Sequence, residues 1–166
     1  MTTDRQPMDH EAYEIRARSG PCFVCAFLEG EDPDYAHETI YEDDETVAFL
    51  DRWPTLAGKV LVAPKAHIEH VVRDLDEPAY TRLMLTVRRV ALAVESVIEP
   101  ERTYLLSLGS QQGNAHLHWH IAGLPPGVPY RQQQFHALMT ENGVLRMPPD
   151  ETAALATRLR QALTPP

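Results

Sequence analysis

Two cysteines, Cys22 and Cys25, are all that the 166 residues contain. One such pair cannot build a disulfide framework, so the fold must rest on an apolar core. Basic residues are also scarce, 15 Lys and Arg against 24 Asp and Glu, for a formal net charge of −9. That balance excludes binding along extended nucleic acid, which needs a basic surface to neutralise successive phosphates. A small anionic ligand stays compatible with it, provided the pocket supplies local donors. Long apolar runs are missing too: none approaches the roughly 18 residues of a membrane span. Met1 to Gly20 is polar and charged, without the apolar stretch of a secretory signal. The expectation is a cytoplasmic protein with no membrane partner.

What is present suffices for one domain, since hydrophobic residues make up 43% of the chain. Residues 8–19 suit a short helix that Gly20-Pro21 ends. CFVCAFLEG is an apolar turn or short helix closed by Gly30, and a polar acidic loop follows around Asp32-Pro33-Asp34. ETIYE and TVAFLD, parted by Asp43-Asp44-Glu45, are rich in β-branched and aromatic residues and read as a hairpin. KVLVAP gives a third strand that stops at Pro64. From Glu77 to Ile98, Tyr80, Leu83, Met84, Val87, Ala91, Val94 and Ile98 recur at helical spacing behind a capping Asp76 and an early Pro78. TYLLSLG (103–109) and AHLHWHIAG (115–123) predict two more strands, and a last amphipathic helix is expected from Asp150, as its cap, to Leu163. Strand-rich halves around one long helix imply an α+β fold, an antiparallel five-stranded sheet packed by that helix.

Side chains alternate faces along a strand, so His116, His118 and His120 share one side, and Leu117, Trp119 and Ile121 the other. Three readings compete for this pattern. The histidines can simply be solvated on an exposed face. They can ligate a catalytic metal, although three neighbours on one strand strain the geometry that a metal prefers. Or one imidazole can act as a nucleophile, with its neighbours stabilising charge and moving protons.

The HLHWH segment resembles the His-x-His-x-His signature of the histidine-triad (HIT) superfamily, in its Hint/Fhit-like branch. YEDDETVAFLD is similar to that family's tyrosine-acidic hairpin ending in a ribose-binding aspartate, and GKVLVAPKAH to its Gly-x-x-Leu-Val-x-Pro-Lys-x-His segment. The resemblance spans residues 22–123. It leaves 1–21 as an N-terminal helical extension and 124–166 as a C-terminal loop and helix extension. It implies a homodimer with a sheet continuous across the pair. Carried over residue by residue, it implies that His118 attacks the α-phosphorus and that His120 binds a phosphate oxygen. Asp51 would accept hydrogen bonds from ribose hydroxyls, and Phe23, Val24, Phe27 and Phe49 would sandwich a purine base such as that of AMP.

The chain departs from the family just before the triad. Many members carry Gly-x-Ser or Gly-x-Thr there, whereas this chain has Gln111-Gln112-Gly113-Asn114-Ala115, and Ser110 lies too early to replace that hydroxyl. Gln112 or Asn114 is then the expected donor. Cys22-Phe23-Val24-Cys25 has the spacing with which two thiolates grip one metal, and it is also a redox spacing, although the βαβ context of a redox motif is missing. The resemblance implies that His67 and His116 complete a structural zinc site with Cys22 and Cys25, since some members bind zinc with that combination. The function implied is a nucleotide hydrolase or transferase that cleaves AMP-linked phosphoramidates or dinucleoside polyphosphates through a covalent nucleotidyl-histidine. The alternatives are a phosphorylase or nucleotidylyltransferase, and a nucleotide-binding scaffold with little turnover.

Overall fold

The computed structural model describes residues 4–164; the outer ends of both extensions, 1–3 and 165–166, lie outside the described residues. Five strands form one antiparallel sheet: β2 (Thr39–Glu42), β3 (Thr46–Leu50), β4 (Val60–Pro64), β5 (Arg102–Leu106) and β6 (Trp119–Leu124), in spatial order β2-β3-β4-β6-β5. Helices α1 (His10–Ser19) and α2 (Phe23–Glu29) precede it, and α3 (Glu77–Ile98) crosses between β4 and β5. After β6 come the short α4 (Phe135–Leu138) and α5 (Pro149–Leu163). A small separate ladder joins β1 (Arg5–Gln6) to β7 (Val144–Leu145), which ties the two extensions together. Among the described residues no helix is long and apolar enough to cross a membrane.

Every residue of β3 and β4 is buried, because both faces of the sheet centre are covered. Ala48, Leu50, Val60, Val62, Leu117 and Ile121 face α3 and α5, whereas Val47, Phe49, Leu61 and Ala63 face α2. Asp76 caps α3 as the sequence predicts, accepting from the Ala79 amide at 2.8 Å. Its apolar face differs at one end, where Tyr80 is exposed and the first deeply buried residue is Leu83. The last helix also starts differently. Pro149 takes its first position, for which the fixed φ of proline is suited, so Asp150 sits inside the first turn and is not the cap. Leu155, Ala156 and Leu159 of α5 complete the α3 side of the core.

The histidine strand is shorter than 115–123. Ladder pairing begins only at Trp119, opposite Val62, after a 3-10 turn at Gln112–Asn114. The reason lies in the neighbouring strand. Pro64 ends β4 without an amide to donate, its carbonyl is taken by the His116 side chain, and the Leu117 amide donates to Ile68 instead. Likewise β5 stops at Leu106, not at residue 109. Leu117, Trp119 and Ile121 nonetheless all pack on the α3 side, which sends the three histidines the other way.

Candidate active site

His116 and His118 lie in the irregular segment that leads into β6, and His120 within the strand itself. His118 is 2% exposed, and its Nδ1 lies 2.7 Å from the His116 carbonyl. A carbonyl can only accept, so that nitrogen carries the proton and Nε2 keeps its lone pair. Burial lowers the His118 pKa below the ordinary histidine value, which favours the neutral, nucleophilic ring. Ser107 holds the same backbone, its hydroxyl donating to the His118 carbonyl at 2.9 Å. The His120 ring stands 4.8 Å from that of His118 at 75°, and its buried Nδ1 has no partner among the described residues. Burial above all, then the Lys59 and His118 charges, push His120 down to about 3.

These rings open onto a cavity of about 250 Å³ that Phe23, Asp51, Lys59 and Asn114 also line. Phe23 meets His118 edge-on at 5.2 Å. Asp51 accepts from the Trp53 amide at 2.9 Å and from the Lys59 ammonium at 2.8 Å. Burial raises the Asp51 pKa, but Lys59 and the amide outweigh it, and the carboxyl stays below its ordinary value. Val24 and Phe49 are fully buried, so they form the wall beneath the cavity and not its surface. Phe27 packs on Phe49 at 4.8 Å. Gln112 is exposed and borders a different groove, beside Glu69 and Ser107, so only Asn114 of the two expected donors shares the cavity with His118.

Sequence reasoning missed several contributors. His37 sits among Phe23, Phe27 and Phe49, with ring separations of 6.4, 5.2 and 4.7 Å, and its Nδ1 lies 3.3 Å from the Leu50 carbonyl. Tyr13 and Arg16 reach the cavity from α1. The Arg16 guanidinium lies 3.7 Å above the Tyr35 ring and donates to the Asp34 carbonyl at 2.6 Å, while Tyr13 meets Trp53 edge-on at 5.4 Å. Lys59, the last of them, carries a readable signal: a lysine entering a strand that is otherwise apolar.

Beside the cavity, Cys22, Cys25, His67 and His116 bring one ligand atom each within 4.8 Å of one another. Cys22 Sγ is 3.4 Å from His116 Nδ1, and Cys25 Sγ is 3.4 Å from His67 Nδ1 and 3.7 Å from His116 Nδ1. Tetrahedral zinc with ordinary bond lengths sets sulfur and nitrogen ligands about 3.6 Å apart. The outer nitrogens suit the same purpose: His116 Nε2 donates to the Pro64 carbonyl at 2.8 Å, and His67 Nε2 lies 3.3 Å from Glu69. Both contacts leave the Nδ1 lone pairs aimed at the thiols. The spacing of Cys22 and Cys25 comes from α2, where Cys22 is the N-cap and accepts from the Cys25 amide at 3.4 Å.

A family model described as HIT domain matches residues 33–126. The chain belongs to the HIT family. The matched segment holds Asp51, His67 and all three triad histidines, but neither cysteine. This HIT protein is 32% identical over 103 residues to a HIT-like protein of Saccharolobus solfataricus, an alignment covering 60% of this chain and 71% of that one. It is 32% identical over 105 residues to Protein hit of Bacillus subtilis, covering 63% and 70%. Among solved structures, a histidine triad nucleotide-binding protein from Sulfolobus tokodaii superposes with a TM-score of 0.68 at 25% identity, covering 86% of this chain and 91% of the other. A Zn-bound histidine triad family protein from Mycobacterium smegmatis shares the fold, with a TM-score of 0.64 at 24% identity and coverage of 86% and 92%.

Proposed function

We propose that this HIT protein binds a purine nucleotide such as AMP and cleaves AMP-linked compounds at the α-phosphorus through a covalent intermediate on His118. One observation carries the reading: His118 Nδ1 is committed to the His116 carbonyl, which leaves Nε2 as a free lone pair at the cavity. Nε2 attacks phosphorus, and the bond to the leaving nitrogen or oxygen breaks, its electron pair staying on the leaving atom, which takes a proton from solvent. Water then attacks the same phosphorus and gives up a proton to solvent, the bond to Nε2 breaks with its pair returning to the ring, and AMP leaves. A carboxylate has about four acceptor positions, so Asp51 retains capacity for ribose hydroxyls beside its two donors. Phe23 and His37 line the cavity where a base would lie, with Phe27, Phe49 and Val24 supporting them.

Cys22, Cys25, His67 and His116 would hold zinc. Four protein ligands close its coordination, so the ion would supply structural strength and no chemistry. The Zn-bound state of the Mycobacterium smegmatis neighbour supports that assignment. A homodimer is also part of this reading. Among the described residues strand β5 pairs only with β6, which leaves one edge of the sheet for a second copy, and Leu105 is exposed on it. Light scattering on a sizing column tests this, a monomer at micromolar concentration being the refuting result.

The decisive experiment is turnover of an AMP–lysine phosphoramidate and of diadenosine polyphosphates, with rapid quenching and mass mapping. An AMP adduct on the peptide holding His118, and its absence together with activity in His118→Ala, are expected. Full activity in His118→Ala refutes the nucleophile assignment.

A further inference from the structure

As a nucleophile His118 keeps an uncharged Nε2, so the central ring of the triad brings no positive charge to the reacting phosphate. Attack on phosphorus gathers negative charge on its non-bridging oxygens, and in a dry site a preplaced cation stabilises it best. Lys59 is such a cation. It is 8% exposed and lines the cavity with His118 and His120. Among the described residues its ammonium has Asp51 as its one partner, 2.8 Å away. Two of its three N–H groups therefore remain to be used.

Sheet register explains how it gets there. Leu50 pairs with Val60, and the Asp51 amide donates to the Lys59 carbonyl at 2.9 Å, so Asp51 and Lys59 extend the β3–β4 ladder by one rung. Two residues back, Phe49 pairs with Leu61, and Leu61 in turn with His120. Residues two apart share a face, so Asp51, Lys59, Leu61 and His120 all point to the cavity side. Lys59 is then the diagonal neighbour of His120, within reach of a long side chain. One step beyond the Val60–Ile121 rung, the residue facing Lys59 is Ala122, fully buried and small enough to leave the ammonium room.

We propose that Lys59 is a catalytic residue of this site, its ammonium bridging Asp51 and a non-bridging oxygen of the α-phosphate and taking up the charge that develops there. The proposal rests on the nucleotide-cleaving reading above. If Lys59 only neutralised Asp51, it would matter equally to every ligand that touches Asp51. As a phosphate ligand, it matters to AMP and not to adenosine.

The test compares the unaltered protein with Lys59→Met, Lys59→Arg, Asp51→Asn and the double variant Asp51→Asn/Lys59→Met. Calorimetric binding of AMP and of adenosine is measured, with kcat and KM on the AMP–lysine phosphoramidate. For Lys59→Met, kcat falls by a factor on the order of 10² and AMP affinity by about tenfold, with adenosine affinity within about twofold. Lys59→Arg restores part of the loss. The double variant, which leaves no buried carboxylate unpaired, loses the same preference for AMP over adenosine relative to Asp51→Asn alone. An unchanged kcat, or equal losses for AMP and adenosine, overturns the assignment to phosphate, as does a double variant no worse than Asp51→Asn. If the unaltered protein neither binds AMP nor cleaves any AMP-linked substrate, the nucleotide reading itself falls and Lys59 with it. An active parent with an indifferent Lys59→Met sinks the Lys59 proposal alone.

Discussion

Helix α1 lines the cavity beside His118, and a single glycine sets how closely it sits. A Cβ built on Gly113 would lie 2.7 Å from the Pro21 carbonyl oxygen, 2.9 Å from that of Ala17 and 3.3 Å from that of Gly20. All three belong to backbone at the end of α1, so no side chain can swing aside. Gly113→Ala must therefore push α1 away or strain the 3-10 turn, at about 1–3 kcal/mol for overpacking of this kind. What holds α1 in place is of similar size. It buries no residue completely, and its chief anchors are Tyr13 on Trp53 and Arg16 on Tyr35 and the Asp34 carbonyl. An aromatic pair, an exposed cation–π contact and one net hydrogen bond sum to about 2–3 kcal/mol. Strain and docking are thus comparable, and the helix should lift in a substantial fraction of molecules while the sheet stays folded. Hydrogen exchange should show α1 amides losing protection, the β3 and β4 amides keeping theirs, and KM rising with kcat retained. Gly127→Ala serves as a control, since no atom lies within 4 Å of its would-be Cβ and only its φ of +80° is strained. Unchanged α1 protection in Gly113→Ala, or a collapse of protection in the sheet, would refute the reasoning.

Other consequences can be checked separately. Purified protein should carry about one zinc per chain by elemental analysis, and Cys25→Ser should lose it along with several degrees of melting temperature. Zinc-free parent protein with an unchanged melting point rejects the structural role. Leu159→Ala, at a fully buried position of α5, should cost about 2–5 kcal/mol in urea denaturation, and a loss under about 1 kcal/mol would mean α5 is dispensable to the core.

Helical spacing and a capping aspartate make α3 readable, and alternation makes the histidine face readable even where the ladder does not reach. The start of the histidine strand is not readable in the same way. What stops the pairing is Pro64, on a different strand, together with a side-chain bond from His116. The apolar stripe of α5 is visible, but nothing local says which surface such a stripe covers. Phe49 and Val24 suit base contacts by their type, and burial, a global property, puts them behind the wall. His37, Tyr13 and Arg16 enter the cavity from segments far off in sequence. Lys59 is within reach of sequence reasoning, since the register of one hairpin pairs it with Asp51.

His116 serves two neighbours at once. Its ring is oriented by the Pro64 carbonyl and the two thiols, and its own carbonyl holds the proton of His118. The nitrogen proposed to attack phosphorus is therefore located by a residue that is itself one of the four candidate metal ligands, with one intervening residue to absorb error. A larger ion in place of zinc, which lengthens every ligand bond, would turn the His118 ring slightly without touching the cavity wall. Under the proposed reaction, metal identity would then act on this protein as a fine adjustment of angle, felt in the rate of attack and not in how tightly the nucleotide is held.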